Sequence, residues 1–194
     1  DSSVSTTTIT LLLSSKGMPK GLTPTSEQIV VSFTLAEPAI NTFASTRIDL
    51  QLNALDSEVF VVTGVKMDLE PADMILTGGN NRSQSFSSIS KQDVSTSALG
   101  FGLANPSVFA TASTTCQTAD TPNNAAAVSF IENSIDTPSQ LEYVDVIATP
   151  DFFVNIQGSG NLDAKSVSGK LYGYRAKASS AVYASLVQSE LLSQ

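Results

Sequence analysis

The chain has 194 residues, a net charge of −8 and neither histidine nor tryptophan. This length suits a single all-β domain, and the lack of histidine excludes His-based catalytic dyads and most transition-metal sites. Only 14% of residues are charged, whereas 29 serines and 19 threonines are present. A surface that is rich in hydroxyl groups and poor in charge suits a protein that packs against its own copies, because burying hydroxyl groups costs less than burying unpaired ions. An ordinary secreted β-domain is equally compatible with it.

The basic residues are distributed unfavourably for binding nucleic acid. None occurs in the first fifteen residues, and none lies between Lys91 and Lys165. Neutralising phosphates requires Lys and Arg, so we expect no direct nucleic-acid binding by a basic arm. The apolar run at 9–13 is far shorter than the roughly 18–20 residues of a membrane helix, so we expect no membrane span.

Residues 1–25 are expected to form an extended N-terminal arm. The first clear strand pattern after residue 40 lies at 46–53, where polar and apolar residues alternate. Ile48, Leu50 and Leu52 fall on one face of such a strand, and Arg47 and Asp49 fall on the other. This alternation predicts a half-buried antiparallel strand.

A second strong strand pattern covers residues 58–69. Val59 and Val61 alternate with Phe60 and Val62, which predicts burial on both faces at the start of the strand. Its end, with polar residues at 66 and 68, is expected to lie in water. Because residues 54–57 provide a tight connection to the strand at 46–53, the two segments are predicted to form a hairpin.

Several further strands are predicted from short apolar runs separated by Asn, Pro and Gly turn residues. The stronger candidates are 28–35, 107–112, 125–131, 141–147, 152–157 and 167–174, and the weaker ones are 6–13, 85–89 and 97–103. Many short strands without intervening helices indicate a sandwich, jelly roll or barrel. We therefore predict one all-β domain over 1–194, an antiparallel β-sandwich of jelly-roll type with a short C-terminal α-helix.

Residues 80–96 are rich in serine and glutamine and contain few large apolar side chains. They are predicted to form a long surface loop or an irregular edge. Long loops are often functional or mobile, so the segment is either an ordinary loop or a contact region for a receptor or subunit. Asn81 and Ser85 are our candidate subunit contacts within it.

The apolar period changes from two to that of a helix over residues 178–192. Five apolar residues then share one helical arc: Val182, Tyr183, Leu186, Val187 and Leu191. Ser179 or Ser180 can cap the start of the helix. The helix is expected either to dock on its own sheet or to pack on a neighbouring subunit. In the second case Val182, Leu186 and Leu191 provide the contacts.

Residues with catalytic or metal-binding chemistry are sparse. Cys116 is the only cysteine, which excludes an intrachain disulfide and a zinc site built on several thiolates. Asp68, Glu70 and Asp73 form either a calcium site or a group of solvated strand-end acids. We expect no catalytic residue, cofactor or metal, although an enzyme that uses carboxylates alone stays open.

The basic residues near the last predicted strand form one cluster in the sequence: Lys165, Lys170, Arg175 and Lys177. They are expected either to pair with acidic groups of a neighbouring copy or to balance local charge.

The segments 46–62 and 167–175, the latter followed by a short terminal helix, resemble strands in jelly-roll coat proteins of small icosahedral environmental viruses. This resemblance implies a capsid protein with two four-stranded sheets, located in the virion, whose partners are copies of itself and other virion proteins. The lack of a basic arm departs from many such proteins and puts direct genome binding in doubt. The alternative is a secreted or surface β-sandwich that binds a glycan or another protein.

Overall fold

The computed structural model describes residues 19–75, 80–120, 126–134 and 142–192. The strand predicted at 6–13 and most of the predicted arm at 1–25 lie outside these residues. The described elements are β1 (Leu22–Pro24), β2 (Ile29–Ala36), β3 (Ala44–Asp49), a 3-10 turn (Ala54–Asp56), β4 (Glu58–Leu69), β5 (Asn81–Ser90), β6 (Val108–Asp120), β7 (Ala126–Ser134), β8 (Asp145–Ile147), β9 (Asp151–Ser159), β10 (Ser166–Ala178) and α1 (Ser180–Leu192).

The strands form two antiparallel sheets packed as a sandwich. In the first sheet β4 lies between β8 and β10, and the other edge of β10 pairs with both β1 and β2. The second sheet has the order β3-β9-β5-β6-β7. The predicted antiparallel β-sandwich with a C-terminal helix is therefore confirmed.

The main core lies between the two sheets and is built from alternate residues of their strands. Phe33 of β2, Phe60 of β4 and Leu171 of β10 meet Phe152 and Ile156 of β9 there. The Phe33 and Phe152 rings meet edge to face, with centroids 6.3 Å apart. Truncating one of these aromatic rings to alanine typically costs about 3–5 kcal/mol, so this layer sets the stability of the fold.

Strand β4 is buried on both faces at its start, as predicted, because α1 covers the face opposite the main core. Val59 and Val61 belong to a second apolar cluster, against which Val182 and Leu186 of α1 pack. The helix therefore docks on its own sheet, which was one of the two expected arrangements. It begins one residue after Ser179, whose carbonyl accepts the N–H of Tyr183 at 2.8 Å.

The predicted hairpin between the strands at 46–53 and 58–69 is wrong. Strand β3 lies in the second sheet and β4 lies in the first. The chain leaves β3 at Asp49, and Gln51 and Ser57 adopt left-handed φ angles of 54° and 53° on either side of the 3-10 turn. Asn53 caps this turn by accepting the N–H of Leu55 at 3.1 Å. Alternation identified both strands, but it carries no information on which strand each one pairs with.

Residues 81–90 form β5 in the interior of the second sheet. The strand predicted at 85–89 is therefore confirmed, and the prediction of a surface loop or irregular edge over residues 80–96 is wrong for its first half. Most of these serines are tolerated there because their hydroxyls find partners, although Ser85 Oγ is buried without one. Ser87 Oγ donates to the carbonyl of Asn155 at 2.7 Å, and the Asn155 amide donates to Ser90 Oγ at 3.1 Å. Buried hydroxyls are acceptable where such hydrogen bonds form.

The strand predicted at 97–103 is also wrong, since these residues form consecutive turns. Asn105 is buried and holds the turns together. Its side-chain amide donates to Ser97 Oγ at 3.0 Å and to the Gly100 carbonyl at 2.8 Å. Gly100 has a φ of 68°, a value that glycine adopts at little cost. The strand predicted at 141–147 is observed only as the three-residue β8, Asp145–Ile147.

Candidate functional site: an exposed edge strand

Strand β7 forms one edge of the second sheet. It pairs with β6 along its whole length without a shift in register. The cross-strand pairs run from Ala112 opposite Ser134 to Asp120 opposite Ala126. Among the described residues no strand pairs with its other side. The backbone N–H and C=O groups on that side are a template for another strand.

Three large apolar side chains of β7 lie in water. Val128 is 44% exposed, and Phe130 and Ile131 are each 46% exposed. Val128 and Phe130 share the inner face of the sheet, and Ile131 lies on the outer face, because neighbouring residues of a strand point to opposite faces. Apolar exposure on both faces of one strand distinguishes β7 from an ordinary sandwich edge.

The inner face of β6, next to β7, is covered by the segment that follows β4. The N–H of Ala72 donates to Thr114 Oγ1 at 2.9 Å, and Thr118 Oγ1 donates to the Ile75 carbonyl at 2.7 Å. Cys116, which pairs with Phe130 in the register, is buried beneath this segment. Among the described residues this cover reaches no further than β6, and Val128 and Phe130 of β7 are exposed apolar side chains on the inner face.

Strand β7 also lacks the features that usually protect an edge from association. It contains no Lys and no Pro, and Glu132 is its only charged residue. Strand β2 is also an edge, which is uncharged and pairs only with β10 among the described strands, but Val30 is its only exposed large apolar side chain. The remaining edges are protected. Strand β3 carries Arg47 and Asp49, β1 contains Pro24, and β8 has only three residues.

A groove of about 410 Å³ runs beside β7. It is lined by Val128 and Ser129 of β7, Gln117 of β6, and Asn81 and Arg82 of β5. The predicted contact residue Asn81 therefore lines the same groove as Val128, with β6 between their two strands. Arg82 supplies a positive charge at this end of the sheet.

The remaining predicted contact residues lie apart from β7. Ser85 is fully buried and does not reach the surface of the protomer. Val182 and Leu186 pack on the chain's own sheet. Leu191 belongs to α1, but its side chain lies outside the described part of the chain. Sequence reasoning predicted a strand at 125–131 and missed that it lies at an edge.

A buried polar network closes the end of the sandwich near β9 and β10. Lys165 is 3% exposed, and its ammonium lies 2.5 Å from the carboxylate of Asp73. Asp73 also accepts the N–H groups of Leu162 and Asp163 at 2.8 and 3.1 Å. The buried carboxylate of Glu37 accepts the N–H of Lys165 at 2.9 Å. The groups in this network have hydrogen-bond partners within the chain, so it fixes the 158–165 turn.

The electrostatics of Asp73 reflect this position. Burial acts to raise its pKa, but the Lys165 ammonium and the two N–H groups outweigh burial, so the pKa lies below its usual value. Within the described residues no group of three acidic or cysteine side chains could hold a metal ion. The structure therefore does not assemble Asp68, Glu70 and Asp73 into a calcium site.

The basic residues at 165–177 do not form one surface cluster. Lys165 pairs with Asp73, and the guanidinium of Arg175 donates to the carbonyl of Leu50 at 3.1 Å. Lys170 and Lys177 are exposed on β10. Lys165 therefore balances an acid of its own chain, whereas Arg175 binds a neutral backbone carbonyl.

Glu190 attaches the end of α1 to the connection between β8 and β9. Its carboxylate accepts the N–H groups of Ala148 and Thr149 at 2.8 and 3.0 Å. Burial raises the pKa of Glu190, although these hydrogen bonds and the charge of Lys91 act in the opposite direction. The contact connects the helix to the core independently of its apolar face.

A second groove, of about 410 Å³, lies on the outer face of the second sheet. Phe86 of β5 and Phe101 of the turn segment form one wall, with ring centroids 5.1 Å apart. Gln84, Gln157 and Asn41 add amide groups that can both donate and accept hydrogen bonds.

No protein-family model matches the chain, and a search of curated proteins found no similar sequence. Among the described helices, none has the length and apolar character needed to cross a bilayer.

Proposed function

We propose that this chain is a self-assembling structural subunit, a jelly-roll coat protein that forms the shell of a virion with copies of itself and other virion proteins. The observation that carries the proposal is the exposed edge of β7, which has a single charged residue and places Val128, Phe130 and Ile131 in water. An unprotected apolar edge on a monomer favours aggregation. The same edge is useful in a subunit whose neighbours cover it.

The order of the strands supports the jelly-roll part of the proposal. Four antiparallel pairs are nested along the chain, because β2 pairs with β10, β3 with β9, β4 with β8 and β5 with β6. Nested pairs divided between two sheets arise when one long hairpin is rolled up. Such nesting supports a jelly roll, an architecture that occurs in viral capsid proteins and lectins. Strand β7 extends the second sheet beyond these eight strands.

The low charge of the chain supports repeated contacts between copies. Charged residues make up 14% of the sequence, well below the roughly 25% typical of globular domains. A closed shell brings the same surface together many times. A weakly charged surface limits the repulsion and the desolvation cost at each contact.

The experiment is to purify the chain and follow its state with concentration and salt, using multi-angle light scattering and negative-stain electron microscopy. We expect dimers and larger species at high concentration, and uniform closed particles under assembly conditions. A chain that stays monomeric at millimolar concentration under all conditions contradicts the proposal.

The groove formed by Phe86 and Phe101 favours a second candidate, a glycan-binding sandwich. Aromatic rings stack on sugar faces, and the amides of Gln84 and Gln157 can bind hydroxyl groups. A glycan array with wild type, Phe101→Ala and the exposed control Leu99→Ala tests this function. Binding that is lost only in Phe101→Ala favours the glycan-binding candidate, and no binding by wild type refutes it.

A further inference from the structure

We infer that β7 pairs edge to edge with β7 of a second copy, in an antiparallel arrangement about a twofold axis at Ser129. This inference rests on the proposed function, because it names the contact through which two subunits first associate. The second sheet of one copy then joins the second sheet of the other copy, and the two form one continuous sheet across the axis. A twofold contact of this kind is self-complementary, since each copy presents the same residues.

The sequence of β7 selects this register. In a twofold antiparallel pair, residues at equal distances on either side of the axis face each other. With Ser129 at the axis, Val128 faces Phe130 of the second copy, and the same pair occurs again on the other side of the axis. With Phe130 at the axis, Val128 would instead face the carboxylate of Glu132. The Ser129 register therefore matches the exposed apolar residues of the inner face with each other.

The charge on β7 favours the same arrangement. Glu132 is the only charged residue between 126 and 134. With Ser129 at the axis, the two Glu132 positions are six residues apart along the strands, which is about 20 Å at roughly 3.4 Å per residue. Their repulsion is screened, because the Debye length at physiological salt is about 8 Å. A register centred on Glu132 would place the two carboxylates opposite each other.

The pairing satisfies groups that the isolated protomer leaves to water. The outer backbone of β7 gains ladder hydrogen bonds, and the three exposed apolar side chains gain cross-strand neighbours. The contact is about 20–30 Å long and one sheet thick, which is smaller than a standard stable interface. We therefore expect a weak, concentration-dependent dimer on its own, strengthened in a shell by the other contacts of each subunit.

The first test compares two matched lysine substitutions in the full chain. Val128→Lys places a charge in the β7 contact, whereas Val30→Lys makes the same change on β2, where Val30 is 48% exposed. Circular dichroism and melting show whether both variants are folded. In sedimentation velocity we expect the dimer of Val128→Lys to be weaker by about tenfold or more, with Val30→Lys close to wild type. Equal weakening by both variants, or no effect of either, overturns the inference.

The second test examines the register with cysteine cross-linking. Ser129→Cys places two thiols opposite each other at the axis, within the usual reach of a disulfide. Ser45→Cys, exposed on β3 at the far edge of the same sheet, is the control. The native Cys116 is buried, and peptide mapping identifies the linked residues. Rapid dimer formation confined to Ser129→Cys supports the inference, and equal rates in both variants overturn it.

These results separate the inference from the proposed function. Particles that form normally from Val128→Lys refute the β7 contact and leave the coat function standing. A β7 dimer that never proceeds to particles supports the contact and counts against the coat function. If β7 binds a partner other than a second copy, the purified wild-type chain stays monomeric at all concentrations. This result overturns the inference.

Discussion

Replacing Asp73 by alanine removes the carboxylate that binds the buried ammonium of Lys165. Lys165 is 3% exposed, whereas the Asp73 side chain is 22% exposed. Breaking a buried ion pair by removing one partner costs about 3–5 kcal/mol. Because water reaches the Asp73 side of the pair, we expect a loss in the free energy of unfolding of about 2–4 kcal/mol, including the lost acceptor for Leu162 and Asp163.

The opposite substitution, Lys165→Met, leaves a carboxylate that keeps its two N–H donors and its contact with water. We expect it to cost about 1–2 kcal/mol, less than Asp73→Ala. The double variant lacks both charges, so no charge is left unpaired. Its cost in stability is therefore expected to be smaller than the sum of the two single costs. Asp68→Ala, at an exposed position of β4, is the control and should change stability by no more than about 0.5 kcal/mol.

Urea unfolding followed by circular dichroism measures these differences through the transition midpoint and slope. The reasoning is refuted if Asp73→Ala costs no more than Asp68→Ala, or if the costs of Asp73→Ala and Lys165→Met simply add. Since the Asp73 pKa is lowered in the folded state, its contribution is present at neutral pH. It is lost as the pH falls through the lowered pKa.

Three further predictions concern β10, α1 and the turn segment. Gly173→Ala should lower the free energy of unfolding by about 1–3 kcal/mol, because the new Cβ would lie 2.3 Å from the Val61 carbonyl oxygen. Gly64→Ala is the control and should show little steric cost, since no atom lies nearer than 3.9 Å to its Cβ position. Thermal melts compare the two variants. Since burial raises the Glu190 pKa, the folded state binds this proton more readily than the unfolded chain, so the Glu190 contribution to stability should rise as pH falls through the raised pKa. Urea midpoints at pH 7 and pH 5 should show this difference in wild type and a smaller one in Glu190→Gln. Asn105→Ala should speed amide hydrogen exchange over residues 97–107, measured by mass spectrometry, while the core strands stay protected.

The local patterns in the sequence predicted much of the fold. Alternation at 58–69 predicted both the strand and the burial of Val59 and Phe60 on opposite faces, because side chains of a strand point alternately to its two sides. The change to a helical period at 178–192 predicted α1 within two residues of its observed start. These features depend on residues near in sequence.

Long-range pairing and burial had to be decided by the tertiary structure. The serines at 81–90 indicated a loop with only a short, weak strand at 85–89, because the partners that bury them, such as Asn155, lie more than 60 residues away. The same limit hid the ion pair of Asp73 with Lys165, which are 92 residues apart.

The candidate assembly surface shows the same division between sequence and structure. The residues of β7 determined that it is a strand with little charge. Only the arrangement of the sheets decided that β7 lies at an edge, beyond the segment that covers β6. Alternation reports which side chains share a face of one strand. Exposure depends on which other strands, distant in sequence, lie against that face.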